Sequence, residues 1–239
     1  MDQILLYASE WIGSIAVAMI AGLSPKFKRT KLVFKYPRRE GIVALGVFGV
    51  AMVVSILLVN LRAFALVGLS EALSDRVLIA AGGLIPVVVA LYRRKQPVRS
   101  AGWPRDKLSG SFQLGLALAF LVVFLRGKFL AVLTSITGAE VGMLGVLLFA
   151  TLCEETVFRG YIQQRLAAWI GPNWGWLAAS GLFTLWQLPR LLAVPDQMLL
   201  GVAVSGVQSL VAGFIMQRSG HALSPAMYRA VSDWLIFVS

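Results

Sequence analysis

Long apolar runs without charge constrain this chain more than any other feature. Residues 42–60, IVALGVFGVAMVVSILLVN, contain no ionisable side chain. A helix of about 20 residues crosses the roughly 30 Å hydrocarbon core of a bilayer. Backbone polar groups at that depth must form hydrogen bonds within their own segment, so such runs fold as helices. The sequence predicts an all-α, multi-pass integral membrane protein.

Composition supports the same class of protein. The chain has 239 residues, of which 58% are hydrophobic and 14% charged. Water-soluble domains have about 25% charged residues. The high hydrophobic fraction and the low charged fraction exclude a soluble globular domain. The bilayer itself is therefore an expected partner of the whole chain.

Eight membrane spans are predicted, with seven as an alternative count because the fourth and last runs are short. They form one integral membrane domain over residues 1–239, in which residues 1–139 hold the N-terminal spans and their basic loops. The predicted spans are 3–24, 41–61, 76–92, 111–126, 140–158, 173–193, 197–217 and 222–238.

The basic residues lie mainly in two connections between the spans. Lys26 to Glu40 has seven basic residues and one acidic residue, and Arg93 to Lys107 has six and one. The positive-inside rule places both connections in the cytoplasm, so alternation places both termini outside it. We expect these loops to meet anionic lipid headgroups. Nucleic acid is not an expected partner, although the net charge is +11.

The motif LCEETVFRG, residues 152–160, is the main candidate for chemistry. Glu154 and Glu155 follow an apolar run, and Arg159 lies one helical turn beyond Glu155. At this i,i+4 spacing a carboxylate and a guanidinium meet on one helix face. Ionisable groups within spans are functional candidates, but a structural ion pair is an equal alternative. Cys153 precedes them. It is expected to be a small buried apolar residue rather than the nucleophile of a thiol protease.

Three motifs resemble those of the CPBP family (CAAX proteases and bacteriocin-processing enzymes, also called Abi). EETVFRG matches the signature EExxxR. GLFTLWQLPRL is similar to the motif FxxxH, with Phe183 in place and Gln187 at the histidine position. GHALSPAMYRAVSD is similar to HxxxN, with Arg229 and Asp233 at the decisive positions. The resemblance implies a CPBP-like core over residues 140–239 and suits a prokaryotic inner membrane.

Active members of this family are intramembrane metalloproteases. The resemblance implies that the glutamate and two histidines of the motifs bind zinc or activate its water. Gln187 is a poor zinc ligand, and Arg229 is a permanent cation that repels the ion. The one histidine of the chain, His221, lies eight residues before Arg229. We therefore expect no metal site and no cofactor; zinc is expected only if the chain is an active protease.

Arg229 provides a substitute for the missing metal in this hypothesis. Two buried carboxylates without a cation repel each other, and a guanidinium in the former ligand position supplies the positive charge. Glu155 is then expected to pair with Arg159, and Glu154 with Arg229. The alternative is that Arg229 extends to a lipid headgroup from near a helix end.

The other two substituted positions fit the same hypothesis. Gln187 can donate and accept hydrogen bonds in the former active site, or it can simply bond one helix to another. Asp233 follows Arg229 by one turn and can accept from its remaining N–H groups.

The sequence thus favours a pseudoenzyme that acts by protein binding, as a scaffold or as a subunit of a membrane complex. The first alternative is an active CAAX-type endopeptidase that uses Glu154 and Glu155 without metal. The second is a transporter, since charges within spans also mark transport pathways. A membrane-protein partner is expected under the first interpretation.

Overall fold

The computed structural model describes residues 3–27, 33–60, 71–191 and 198–238, and these parts of the chain are helical without a strand. The all-α prediction is confirmed. The helices are α1 (Gln3–Leu23), α2 (Pro37–Asn60), α3 (Glu71–Arg93), α4 (Leu108–Leu125), α5 (Phe129–Thr134), α6 (Gly138–Glu155), α7 (Gln164–Ile170), α8 (Pro172–Leu191), α9 (Met198–Ser219) and α10 (Leu223–Trp234).

Six helical segments within the described residues are long and apolar enough to cross a membrane, which confirms a multi-pass protein. The predicted span ends at 61, 192–193 and 197 lie outside the described residues. The orientation with both termini outside the cytoplasm stays a prediction. The six segments are Leu5–Leu23, Pro37–Leu58, Leu73–Arg93, Arg105–Leu125, Gly138–Ile170 and Met198–Ser219.

The two other predicted spans correspond to α8 and α10. These two helices are not among the six segments, so the structure differs here from the predicted eight spans. α10 has 12 residues, a length of about 18 Å at 1.5 Å per residue. That is short of the roughly 30 Å hydrocarbon core. α8 has 20 residues, but its tryptophan, glutamine, asparagine and proline residues reduce its hydropathy.

The short helix α10 packs inside the bundle, against α4, α6 and α9. α1 in turn packs on α4 and α9, and α3 packs on α6. The surrounding core contains the fully buried Leu118, Leu147, Ile215 and Tyr228. This position explains how α10 can contain charged residues in a membrane protein, because protein rather than lipid surrounds them.

α6 does not end at its glutamates. It continues through a π-helical segment, Thr156–Gln163, into α7. π-Helical turns within α-helices are rare and occur frequently at functional sites. The π-helical segment therefore marks the region of the EETVFRG motif as a candidate functional site.

Gly160, the last residue of that motif, permits a close backbone contact. A Cβ atom added at Gly160 would lie 1.9 Å from the carbonyl oxygen of Ala101. Gly102, the next residue in that connection, has a left-handed backbone with φ +84°. Glycine at both positions allows the connection between α3 and α4 to lie directly on the π-helical segment.

Candidate functional site

Arg229 of α10 lies between the two glutamates at the end of α6. Its Nη1 donates to Glu155 Oε1 at 2.7 Å, and its Nη2 lies 2.9 Å from Glu154 Oε2. The second contact is an ion pair without hydrogen-bond alignment. All three side chains are buried. The expected contact of Arg229 with Glu154 is present, and one guanidinium also reaches Glu155.

Arg159 occupies the other oxygen of Glu155. Its Nε donates to Glu155 Oε2 at 3.2 Å across one helical turn, as the spacing predicts. Its Nη2 donates to the hydroxyl of Ser209 at 2.7 Å, and its Nη1 to that of Ser180 at 3.4 Å. Arg159 thus joins the π-helical segment to α8 and α9, and both carboxylate oxygens of Glu155 have arginine donors.

Phe183 packs against both guanidinium groups. The ring centroid lies 4.4 Å from Cζ of Arg229 and 5.5 Å from Cζ of Arg159. An aromatic face attracts a cation, more strongly where water is excluded. The ring also meets Phe158 edge to face, with centroids 5.1 Å apart. Phe183 is therefore part of the charged site and of the aromatic core between α8 and the π-helical segment.

Gln187 is buried in α8, one turn after Phe183. Its predicted role in the polar site stays a prediction.

Asp233 does not interact as expected. Arg229 Nε makes no hydrogen bond within the described residues, so the prediction that Asp233 accepts from Arg229 is wrong. Asp233 instead pairs with Arg76 of α3 and accepts a hydrogen bond from Gln208 Nε2 at 3.1 Å. The reason is geometric: both terminal nitrogens of Arg229 face the α6 glutamates, and Asp233 faces α3 and α9.

A further buried ion pair lies near this group, and sequence reasoning missed it. Arg126, directly after α4, donates through Nε to Glu10 Oε2 of α1 at 2.6 Å. Its Nη2 lies 3.4 Å from the hydroxyl of Ser232, which also accepts from Gln208. Glu10 is fully buried within a predicted span. An acidic residue in an apolar helix was the signal that could have found the pair.

These contacts form a charge-balanced group in the interior of the bundle. Four arginines face four carboxylates, and each arginine forms at least one ion pair. Complete pairing is what makes buried charges tolerable in a membrane protein. The members are Arg76, Arg126, Arg159, Arg229, Glu10, Glu154, Glu155 and Asp233.

His221 lies in the connection between α9 and α10 and acts as a local structural residue. Its Nδ1 accepts the backbone N–H of Leu223 at 3.0 Å, at the start of α10. Its ring meets Trp103 edge to face, with centroids 4.9 Å apart. Burial lowers the pKa of His221 to about 4; Asp106 opposes this shift and Lys107 adds to it. The imidazole is therefore neutral at physiological pH.

We expect this histidine to make the folded protein less stable in acid. The unfolded chain takes up a proton at a pKa near 6.5, whereas the buried imidazole does so only near pH 4. Stability is thus retained above about pH 6.5 and falls as the pH decreases towards 4. The melting temperature of the detergent-solubilised protein, followed from pH 7 to pH 4.5, measures this effect.

His221→Gln is the control, because the chain has a single histidine. Its melting temperature should depend less on pH over the same interval. An unchanged pH dependence would show that carboxylates alone cause the acid instability.

The described residues do not fit a zinc ion between Glu154 and Glu155. Within them, no three His, Cys, Asp or Glu side chains lie close enough together to hold a metal. The position between Glu154 and Glu155 that a divalent cation would need is taken by the guanidinium of Arg229. Arginine stays charged at all physiological pH values, so a divalent ion at that position would be repelled.

Comparison with known families agrees with the motifs. Residues 120–235 match the family model described as "Type II CAAX prenyl endopeptidase Rce1-like". The matched segment begins within α4, N-terminal to the predicted boundary at 140, and includes Glu154, Phe183, Gln187 and Arg229. No match to the chain was found among curated proteins or among solved structures. This multi-pass membrane protein therefore contains, over residues 120–235, an Rce1-like domain of the CPBP family of CAAX proteases.

Proposed function

We propose that this Rce1-like protein is a pseudoenzyme that has lost the zinc site and acts by binding, as a scaffold or subunit of a membrane complex. The observation that carries the proposal is the guanidinium of Arg229, within 2.9 Å of both glutamates. It supplies in permanent form the charge that zinc would supply in an active relative, so the helices hold together without metal.

The hydrogen bonds and burial of Glu155 argue against catalysis by the carboxylates alone. A general base must accept a proton from water through an accessible oxygen. Both oxygens of Glu155 accept from arginines, and its side chain is fully buried. Ion pairing in this arrangement favours a structural role over activation of water.

One face of α6 supports binding to another membrane helix. An added Cβ at Gly138, Gly142 or Gly145 would meet no atom within 4 Å. Small residues three or four positions apart let the backbones of two membrane helices approach closely. The face lies in the half of α6 away from the charged site. We propose it as the contact surface for a partner helix.

The experiment combines a test for lost activity with a test of binding. The full chain is purified in mild detergent and examined for bound zinc, for cleavage of a prenylated CAAX peptide and for a companion membrane protein in fixed ratio. We expect no zinc, no cleavage and one companion. Cleavage that Glu155→Gln abolishes would overturn the proposal, as would about one zinc per chain.

A matched pair of variants tests the α6 surface. Gly142→Leu with Gly145→Leu should reduce retention of the companion at least tenfold, because bulky side chains keep two helices apart. Gly46→Leu with Gly49→Leu places the same change on α2, where both glycines also face open space. The α2 variant should retain the companion. Equal retention by both variants would contradict binding at α6.

A further inference from the structure

A groove of about 570 Å³ lies between α3 and the end of α6. Leu84 and Leu91 line it from α3, Leu152 and Cys153 from α6, and Trp103 closes its basic end. Side chains such as Val88 and Phe149 are about half exposed along its open side. The groove therefore opens towards the surrounding lipid, in the half of the bilayer where α3 ends.

Three polar side chains in the wall of the groove, Gln96, Trp103 and Thr156, already have partners. The Thr156 hydroxyl donates to the Leu152 carbonyl at 2.6 Å and accepts from Trp103 Nε1 at 3.0 Å. Gln96 donates to Glu40 and accepts from Arg165. Apart from the exposed Tyr92 at the end of α3, the wall is apolar or already hydrogen-bonded, so an apolar occupant fits best.

The dimensions of the groove suit an acyl chain. From Leu84 to Tyr92 the groove follows α3 for about 12 Å, at 1.5 Å per residue. Its volume of about 570 Å³ is within the size range of a small-ligand site.

Basic residues without ion-pair partners adjoin the groove. Arg93, Lys95 and Arg99 are exposed neighbours in sequence of the lining residues Tyr92, Gln96 and Val98. Within the described residues no carboxylate pairs with these three cations, whereas Arg94 between them donates to Glu40 at 2.8 Å. A basic cluster at the end of a span attracts anionic headgroups.

We propose that this groove holds an acyl chain of one anionic phospholipid, whose phosphate lies among Arg93, Lys95 and Arg99. The apolar wall selects the chain, and the exposed cations select the charge of the headgroup. This site is separate from the Arg229 site, so either proposal can fail without the other. A bound acyl chain would cover the apolar wall of the groove between α3 and α6.

Native mass spectrometry of the detergent-purified full chain tests the proposal, with phosphatidylglycerol and phosphatidylcholine as probes. We expect one phosphatidylglycerol per chain to stay bound at energies that remove phosphatidylcholine. The triple variant Arg93→Gln, Lys95→Gln and Arg99→Gln should lose on the order of a hundredfold in affinity, since each of the three cations near a lipid surface contributes about 1 kcal/mol.

Matched variants separate this site from general attraction to basic loops. Lys35→Gln, Arg38→Gln and Arg39→Gln remove three exposed cations from the other basic connection and should change the affinity less than threefold. Val88→Trp should fill the groove and reduce binding about tenfold. Val53→Trp, at an exposed site on α2, should not.

Three results would overturn the proposal. The first is equal loss of affinity in the two triple variants, which would mean that net charge alone attracts the lipid. The second is unchanged binding in Val88→Trp, and the third is equal retention of phosphatidylcholine and phosphatidylglycerol by the unmodified chain.

Discussion

Replacement of Arg229 by glutamine is expected to lower the free energy of unfolding by about 3–5 kcal/mol, since it leaves buried carboxylates without their shared cation. Glu155 would keep Arg159, but Glu154 would lose the one ion pair that the described residues form with it. Equilibrium unfolding in mixed detergent micelles, followed by tryptophan fluorescence, measures the loss.

A double-mutant cycle shows whether the loss comes from the pair. Arg229→Gln combined with Glu154→Gln removes both charges and should recover at least half of the stability that Arg229→Gln loses. Arg93→Gln is the control, because Arg93 is exposed at the end of α3 and its removal should stay within about 0.5 kcal/mol. If Arg229→Gln destabilised the protein no more than the control does, the buried ion pair would not have a structural role.

The combination of Gln187→His with Arg229→His is expected to bind zinc, and the unmodified chain is expected not to bind it. The double variant removes the permanent cation and supplies imidazoles at the two motif positions, the ligand type that zinc takes. The metal would also replace the lost charge, so zinc should raise the melting temperature of the variant. Metal analysis after dialysis and thermal unfolding with and without zinc measure both effects.

Gln187→His alone is the matched control for this variant. It keeps Arg229 between Glu154 and Glu155 and should bind no zinc. A folded double variant that takes up no zinc would contradict the idea that these two substitutions alone removed the metal site.

Sequence reasoning was most successful where the interaction is local. The pairing of Glu155 with Arg159 follows from helical spacing and is present at 3.2 Å. The contact of Arg229 with Glu154 was predicted from charge balance together with the motif positions, and it is also present. A buried pair of carboxylates needs a cation, and the motif resemblance identified Arg229, 74 residues from Glu155, as the candidate.

Ion pairs between helices that neither helical spacing nor a motif connected were not predicted. Asp233 pairs with Arg76 of α3, the first residue of the predicted span 76–92, and nothing in the sequence connected the two. Arg126 pairs with Glu10, although the two lie at opposite ends of the N-terminal spans. The choice among several arginines depends on how each helix is rotated about its axis, and no spacing in the sequence encodes that rotation.

The sequence alone determined that the chain is helical and crosses the membrane, because hydrocarbon excludes any backbone that does not satisfy its own hydrogen bonds. It also determined that Gln187 and Arg229 stand where the resembling motifs have histidine. Only the tertiary structure decided which carboxylate each arginine meets and that α10 lies inside the bundle. The physical reason is that span formation depends on local composition, whereas ion pairing in the interior depends on the relative positions of several helices.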